Sequence, residues 1–269
     1  MKQITTSPSE LLSYNDCARQ WYFKYDKRLR LREYRPSPPL ASGIAVHYVV
    51  ETLCRDFPQQ LPVPADVRIR AEDSLLSTFD SHPQQGAQVK KFLPGVLRAL
   101  VKVPDEIWLS DWVLEQDIQG VFANDEIEVT MRGRPDMFRL VGTNRLEIVD
   151  LKTTAAEPLE YMLWNPQLRW YAAILAQQYP ERLLFYRYQC LPTQGEKPAP
   201  QSPPWPFTGR QHQGAIVDIL KKAEALHPDI TEARESRNCN YCDFNPICQA
   251  IIGGADPTGV AKELFYVRK

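Results

Sequence analysis

The sequence predicts an α/β protein with a mixed central sheet flanked by helices. Three observations carry that reading. Residues 136–152 have the form of a β-hairpin. A helical stretch beginning at Gln167 separates it from a further strand, Leu183 to Leu191, and a strand–helix–strand order implies a crossover between parallel strands. Ile148, Val149 and Leu151 form an almost uninterrupted apolar run, as expected of a strand covered on both faces.

The hairpin organises the chain. Val141-Gly142-Thr143-Asn144 supplies the turn, since Gly and Asn tolerate the positive φ of hairpin loops. Centred near Thr143, the hairpin sets Asp136 opposite Asp150. Side chains alternate along a strand, so Asp150 and Lys152 share a face and Glu147 falls on the other. Two carboxylates and an ammonium at one end of a sheet suit metal-assisted hydrolysis. The acids can hold a hard divalent cation, which polarises a phosphoryl oxygen and activates water. The lysine can orient that water or neutralise charge on the phosphate. Alone, an Asp-x-Lys strand is common by chance, and an ordinary surface ion pair is the plainer explanation.

The elements before the hairpin follow in order. Ser7-Pro8-Ser9-Glu10 is a helix start, with Ser7 as cap and Glu10 closing a capping box. Leu11, Tyr14, Cys17, Trp21, Tyr25 and Leu29 keep helical spacing and place Cys17 on the buried stripe. Lys24, Lys27, Arg28, Arg30, Arg32 and Arg35 then form a basic run among tyrosines. It is either a solvated helix face or a phosphate-binding patch. After a Pro-rich loop at 36–40, Ser42 opens a second helix to about Phe57. His47 lies in its second turn, as a core imidazole or a metal ligand. Residues 63–103 hold two helical patterns with no evident chemistry, read as a helical insertion. Ile107–Leu109, Trp112–Leu114 and Ile127–Met131 alternate like strands of a meander running into the hairpin.

Beyond the hairpin, Asn165-Pro166 marks a helix start. Gln167 and Tyr171, four apart, share a face of that helix. Residues 192–207 carry six prolines and one glycine, a stiff irregular loop, and a helix is expected from about Thr208 to Leu226.

Composition narrows the function classes. A net charge of −1 advertises no global affinity for nucleic acid, so such binding requires a local patch. No apolar run approaches the roughly eighteen residues of a membrane helix, and the first residues lack the core of a signal peptide. A cytoplasmic location is the default, and the six cysteines are then thiols or metal ligands before disulfides. Cys239, Cys242 and Cys248 form a C-x2-C-x5-C array that cannot close a four-coordinate site alone. Cys17 is the expected fourth ligand, with Cys54 and Cys190 as buried thiols. Spacing alone leaves zinc and an iron–sulfur cluster equally open.

Taken together, these pieces resemble the PD-(D/E)xK nucleases of the RecB-like type, in the branch with an iron–sulfur staple. That branch includes the CRISPR-associated RecB-like exonucleases and the nuclease domain of AddB. The resemblance runs in order through Ser9-x-Leu-x-x-Tyr14-x-x-Cys17, Gly43-x-x-x-His47, Gly133-Arg-Pro-Asp136, Ile148-Val-Asp150-Leu-Lys152-Thr153, Gln167-x-x-x-Tyr171 and the cysteine triplet. It implies a restriction-endonuclease-like core in a single nuclease domain over 1–269. Residues 63–103 would be an insertion, and a cysteine segment over 228–269 would close on the helix at 8–30. It implies that His47, Asp136, Asp150 and the Leu151 carbonyl bind Mn²⁺ or Mg²⁺, and that Lys152 is the catalytic lysine. Gln167 and Tyr171 would support the site or contact DNA. Cys17, Cys239, Cys242 and Cys248 would hold a [4Fe-4S] cluster, with zinc the lesser alternative. Lys24, Lys27, Arg28 and Arg30 are the candidate DNA-binding patch.

The resulting expectation is a metal-dependent DNA exonuclease acting on single strands or ends, without a membrane role. Recombination or CRISPR adaptation proteins are its candidate partners. No G-x-x-x-x-G-K-[ST] phosphate loop is present, so a helicase motor is excluded from this chain. The alternative is a non-catalytic iron–sulfur DNA-binding or scaffold subunit, against which the retention of His47, Asp136, Asp150 and Lys152 argues.

Overall fold

A computed structural model describes residues 1–32, 37–80, 84–154, 165–195, 202, 204–227 and 232–268. The expected loop after Thr154, His82 and Arg35 lie outside the described residues. The chain divides into two compact units. One comprises residues 1–35, 121–131 and 217–269; the other comprises 36–120 and 132–216.

The N-terminal segment begins with a strand the hydropathy pattern did not announce, β1 (Lys2–Thr6). Ser7 then caps α1 (Pro8–Asp16) by accepting from the Glu10 N–H at 3.2 Å. The Glu10 carboxylate closes the capping box by accepting from the Ser7 N–H, and it also accepts from the Thr6 hydroxyl and, at 3.0 Å, from the Trp21 indole N–H. The expected continuous helix to Leu29 also breaks. Cys17 is extended (φ −160°, ψ 110°) between α1 and α2 (Ala18–Trp21), a π-helical turn follows over Tyr22–Asp26, and Leu29–Leu31 is a strand, β2. Cys17 is therefore half-buried at a break, not on a continuous buried stripe.

In the second unit, α3 (Pro38–Asp56) starts earlier than expected, because Pro38 and Pro39 suit a helix's first turn. Ala41, Ala45, Val46, Val49, Val50 and Leu53 turn inward and are at most 2% exposed. They meet residues of α4 (Pro64–Thr78) and α5 (Gln85–Leu100) in one apolar core with Val149 and Leu151 of the hairpin. Ile107–Leu109 does not form a strand. Residues Asp105–Trp108 form the short helix α6, with Ile107 and Trp108 buried, so apolar content there reflects core contact and not strand period. Val113–Leu114 is a two-residue strand, β3.

The expected meander is split between two sheets. β4 (Ile118–Ala123) and β5 (Ile127–Gly133) join β1 in the order β1-β5-β4, with β1 parallel to β5. The hairpin strands β6 (Met137–Val141) and β7 (Arg145–Thr154) belong to another sheet. They pair antiparallel, Met137 opposite Val149 and Val141 opposite Arg145, and Gly142 takes the positive φ of +61° that the turn demands. Helix α7 (Gln167–Gln178) returns the chain to β8 (Leu183–Pro192), which runs parallel to β7 through ten residue pairs. β9 (Trp205–Pro206), inside the Pro-rich stretch, completes the order β3-β6-β7-β8-β9 among the described residues. This is a mixed α/β fold with helices packed on a mixed sheet.

The chain closes with α8 (Gly209–Glu224), α9 (Asn245–Ile252), α10 (Pro257–Leu264) and β10 (Phe265–Val267). β10 pairs antiparallel with β2, and Phe244, Ile247 and Phe265 pack with Phe23, Leu29 and Leu31. The first and last segments of this unit are thus joined by backbone pairing and an apolar cluster as well as by any centre at the cysteines.

Candidate active site

Strand register brings the acids together. Asp136 immediately precedes β6 and extends its pairing to Asp150 on β7. Asp136 Oδ2 accepts from the Leu151 N–H at 2.6 Å, which fixes the carboxylate against the strand that carries Asp150 and Lys152. Lys152 Nζ lies 2.6 Å from Asp150 Oδ2, and Asp150 is 2% exposed. Among the described residues, that buried oxygen has no donor besides Lys152.

Helix α3 supplies the third side. A Cβ added at Gly43 would lie 2.9 Å from the Thr153 hydroxyl, so only glycine lets the helix approach β7 this closely. One turn on, His47 Nε2 is 2.9 Å from the Leu151 carbonyl oxygen, and Nδ1 is 3.5 Å from Asp136 Oδ1. Burial alone would lower the imidazole's pKa. The Asp136 carboxylate, helped by Asp150, more than offsets burial and raises it to about 9. Asp136 is pushed up by burial, but His47, Lys152 and the Leu151 N–H together hold it below the usual carboxylate range.

The residue patterns did not single out Glu115, and the fold places it here. Donor atoms of His47, Glu115 and Asp136 lie within 4.8 Å of one another. Leu114 pairs with Met137, which sets Glu115 opposite Asp136, and the Glu115 N–H donates to the Asp136 carbonyl at 3.0 Å. The register argument that pairs Asp136 with Asp150 finds Glu115 one strand further out. It was hidden because β3 has only two residues. Glu115 has a φ of +47°, a costly conformation for a residue with a side chain. Burial and the neighbouring Asp136 and Glu51 carboxylates push its acid up to about 7. Burial, with Asp136 adding to it against Lys152, pushes Asp150 to about 6. Burial lowers Lys152, but Asp150 and Asp136 together offset it, so its ammonium is held above its ordinary range.

Gln167 and Tyr171 share a face as their spacing requires. Asn165 Oδ1 accepts from the Gln167 N–H at 2.9 Å at the start of α7, and the Gln167 amide donates to the Tyr171 hydroxyl at 3.1 Å. Tyr171 is buried, and burial drives its phenol up to about 12, with Asp150 and Asp136 adding to the rise. Glu147 lies apart from these residues. It is buried with Arg139 and Arg187, at 2.8 and 2.9 Å, and Arg187 also pairs with Glu106.

In the other unit, Cys17, Cys239, Cys242 and Cys248 all line one cavity of about 410 Å³. Burial raises the Cys242 and Cys248 thiols, and each feels the others' charge, Cys242 that of Cys248 and Cys17, Cys248 that of Cys17 and Cys239. Cys54 and Cys190 are buried thiols, raised by burial to about 12 and about 11. The basic run is partly consumed by its own segment. Arg30 donates to the carbonyls of Lys24 and Leu29, Lys27 pairs with Asp26 over the Tyr22 ring, and Lys24 sits over Tyr25. Arg28 is exposed with a φ of 52°.

The chain matches the PD-(D/E)XK nuclease superfamily over residues 5–249 and belongs to that family. No curated protein matches it. Among solved structures it is similar to the protein SSO0001, at 15% identity with 76% of this chain and 95% of that chain covered, at a TM-score of 0.36. It is also similar to an exonuclease candidate from Eubacterium rectale, at 14% identity over 89% of this chain and 87% of that one, with a TM-score of 0.41. Family membership rests on the superfamily match. Among the described residues, no helix is long and apolar enough to cross a membrane.

Proposed function

We propose that this chain is a divalent-cation-dependent DNA nuclease that hydrolyses phosphodiesters at the end of β7. The observation that carries this is the convergence of His47, Glu115 and Asp136 beside the Asp150–Lys152 pair in a PD-(D/E)XK chain. The donors suit a hard or borderline cation: carboxylate oxygens, the Leu151 carbonyl and one imidazole, with the imidazole favouring Mn²⁺ over Mg²⁺. The residues also fit a cation electrostatically. Two raised carboxyls, Glu115 and Asp150, are acids short of positive charge. A bound cation polarises the scissile phosphoryl group and lowers the pKa of water beside it.

The chain's own residues do the rest. Asp150 keeps Lys152 charged and fixed, and the lysine's ammonium orients the attacking water and offsets charge developing on the phosphate. Asp136 is held rigid by the Leu151 N–H, so little reorganisation is needed as charge builds. Tyr171, tied by Gln167 and buried, stays a neutral phenol that limits water on the α7 side. Attack is in line, with no covalent intermediate.

Within this reading the chain is of the RecB-like type and acts as an exonuclease on single strands or ends. Cys17, Cys239, Cys242 and Cys248 hold a [4Fe-4S] cluster. Their common cavity and mutual thiol repulsion support a shared metal centre. Recombination or CRISPR adaptation machinery is the proposed setting. The test is anaerobic purification, followed by Mn²⁺ cleavage of end-labelled single-stranded DNA with Lys152→Ala alongside. Progressive shortening by the wild type alone supports the proposal. Intact DNA from iron-loaded protein in both Mn²⁺ and Mg²⁺ rejects it.

A further inference from the structure

Helix α3 has two unlike faces. Its inward face is filled by small and branched residues, yet three large apolar side chains stand on the solvent side one turn apart. Leu40 is 47% exposed, Ile44 39% and Tyr48 41%. Scattered exposed apolar residues are ordinary, but these form a line that ends beside His47. Glu51 and Arg55 complete the face and pair with each other. Among the described residues, Lys152 is engaged by Asp150, and Arg134 by Asp117 through two bonds of 2.8 and 2.9 Å. This surface therefore offers apolar and aromatic area.

We propose that Tyr48, Ile44 and Leu40 form a rail that carries a single nucleic-acid strand by its bases as it reaches His47 and Asp136. The inference rests on the nuclease reading of that site and adds to it the residues that select the substrate. Duplex DNA is gripped mainly through its phosphates by Lys and Arg, and its base faces are hidden in the stack. A single strand exposes its bases, which stack on aromatic side chains whatever their sequence. A rail of exposed apolar and aromatic side chains can take the bared bases of the second and finds no base face on the first. The rail reaches the site through Glu51, three residues beyond Tyr48 on the same face, whose carboxylate is close enough to Glu115 to act on it.

The test measures binding without cleavage, in the Lys152→Ala background, by fluorescence anisotropy. An oligothymidylate is compared with a strand of equal length carrying abasic residues. Adding Tyr48→Ala should weaken oligothymidylate binding about tenfold, as expected for loss of one base–aromatic stack. It should leave the abasic strand unaffected, and Tyr48→Phe should restore the difference. Equal losses on both strands, or none, overturn the rail, as does failure of the Lys152→Ala protein to bind the oligothymidylate. Wild-type cleavage in Mn²⁺, run in parallel, separates the two ideas. A cutting enzyme indifferent to Tyr48→Ala loses the rail alone. A strand bound through Tyr48 but never cut loses the nuclease reading alone.

Discussion

At the Asp150–Lys152 centre, four of the key residues come from three consecutive strands of one sheet. Glu115, Asp136, Asp150 and Lys152 meet because β3, β6 and β7 are hydrogen-bonded neighbours. The cysteines are gathered differently. Cys17 sits at a helix break, the other three follow over two hundred residues later, and β2–β10 pairing with the Phe23–Phe244–Phe265 cluster brings their segments together. The acid centre is thus built by register, where a one-residue slip would turn every side chain to the wrong face. The cysteine cavity is built by long-range packing, and its four thiols are only as well placed as that packing.

The strongest test of this contrast is Lys152→Ala. Cleavage should fall by about a thousandfold, the scale for losing one preorganised charge donor, as measured by initial rates on labelled oligonucleotide. Retained activity would remove the lysine from the chemistry. Next, Phe265→Ala should cost about 3–5 kcal/mol in denaturant unfolding and lower iron content as far as Cys248→Ala does. Full iron loading in Phe265→Ala would mean that the cysteines, and not the apolar cluster, hold the two segments together.

Glu147 gives a stability effect of similar kind within the register-built sheet. Burial raises its carboxyl, but hydrogen bonds from Arg187 and Arg139 prevail and hold it below its ordinary value of 4.5. Its contribution is therefore complete above that pH and is lost as pH falls through the folded value. Glu147→Ala should destabilise by about 3 kcal/mol at pH 7, by leaving Arg187 buried without this partner. Glu147→Gln should flatten the loss of wild-type stability as pH falls below the ordinary carboxyl range, followed by urea midpoints. An unchanged pH profile would show that the pair adds nothing.

Glu115→Gln should weaken Mn²⁺ binding about tenfold, comparable to loss of a supporting group at a metal site, read as a smaller thermal shift on titration. An unaltered shift would leave His47 and the two aspartates sufficient. The smallest effect is expected from Arg30→Ala, about 1 kcal/mol for its hydrogen bonds to the Lys24 and Leu29 carbonyls. Arg28→Ala, by contrast, should flatten the salt dependence of DNA binding. An unchanged slope would leave the basic run a solvated face.

Much of the acid site was legible because its information is local. The Gly142 turn sets the register, register sets Asp136 against Asp150, and alternation aims Lys152 with Asp150. Glu115 escaped because a two-residue edge strand leaves no periodic signature. The helix expected through Cys17 failed for a related reason. Apolar spacing records which residues are buried, and Trp21 and Leu11 are buried whether or not the helix between them is continuous. Ile107 and Trp108 misled in the same way, being core residues of a short helix.

By itself the sequence determined the hairpin, the parallel crossover to Leu183–Pro192, the approach of Gly43 and His47 as one helical motif, and the membership of the cysteine array. These depend on turn chemistry, period and spacing, which act over a few residues. Only the tertiary structure decided that Glu115 joins His47 and Asp136, that Glu10 shares its carboxylate between its own helix start and Trp21, and that Arg30 spends its charge on nearby carbonyls. Each of those outcomes is a competition for a hydrogen-bond or charge partner, and which partner wins depends on what packing brings within reach.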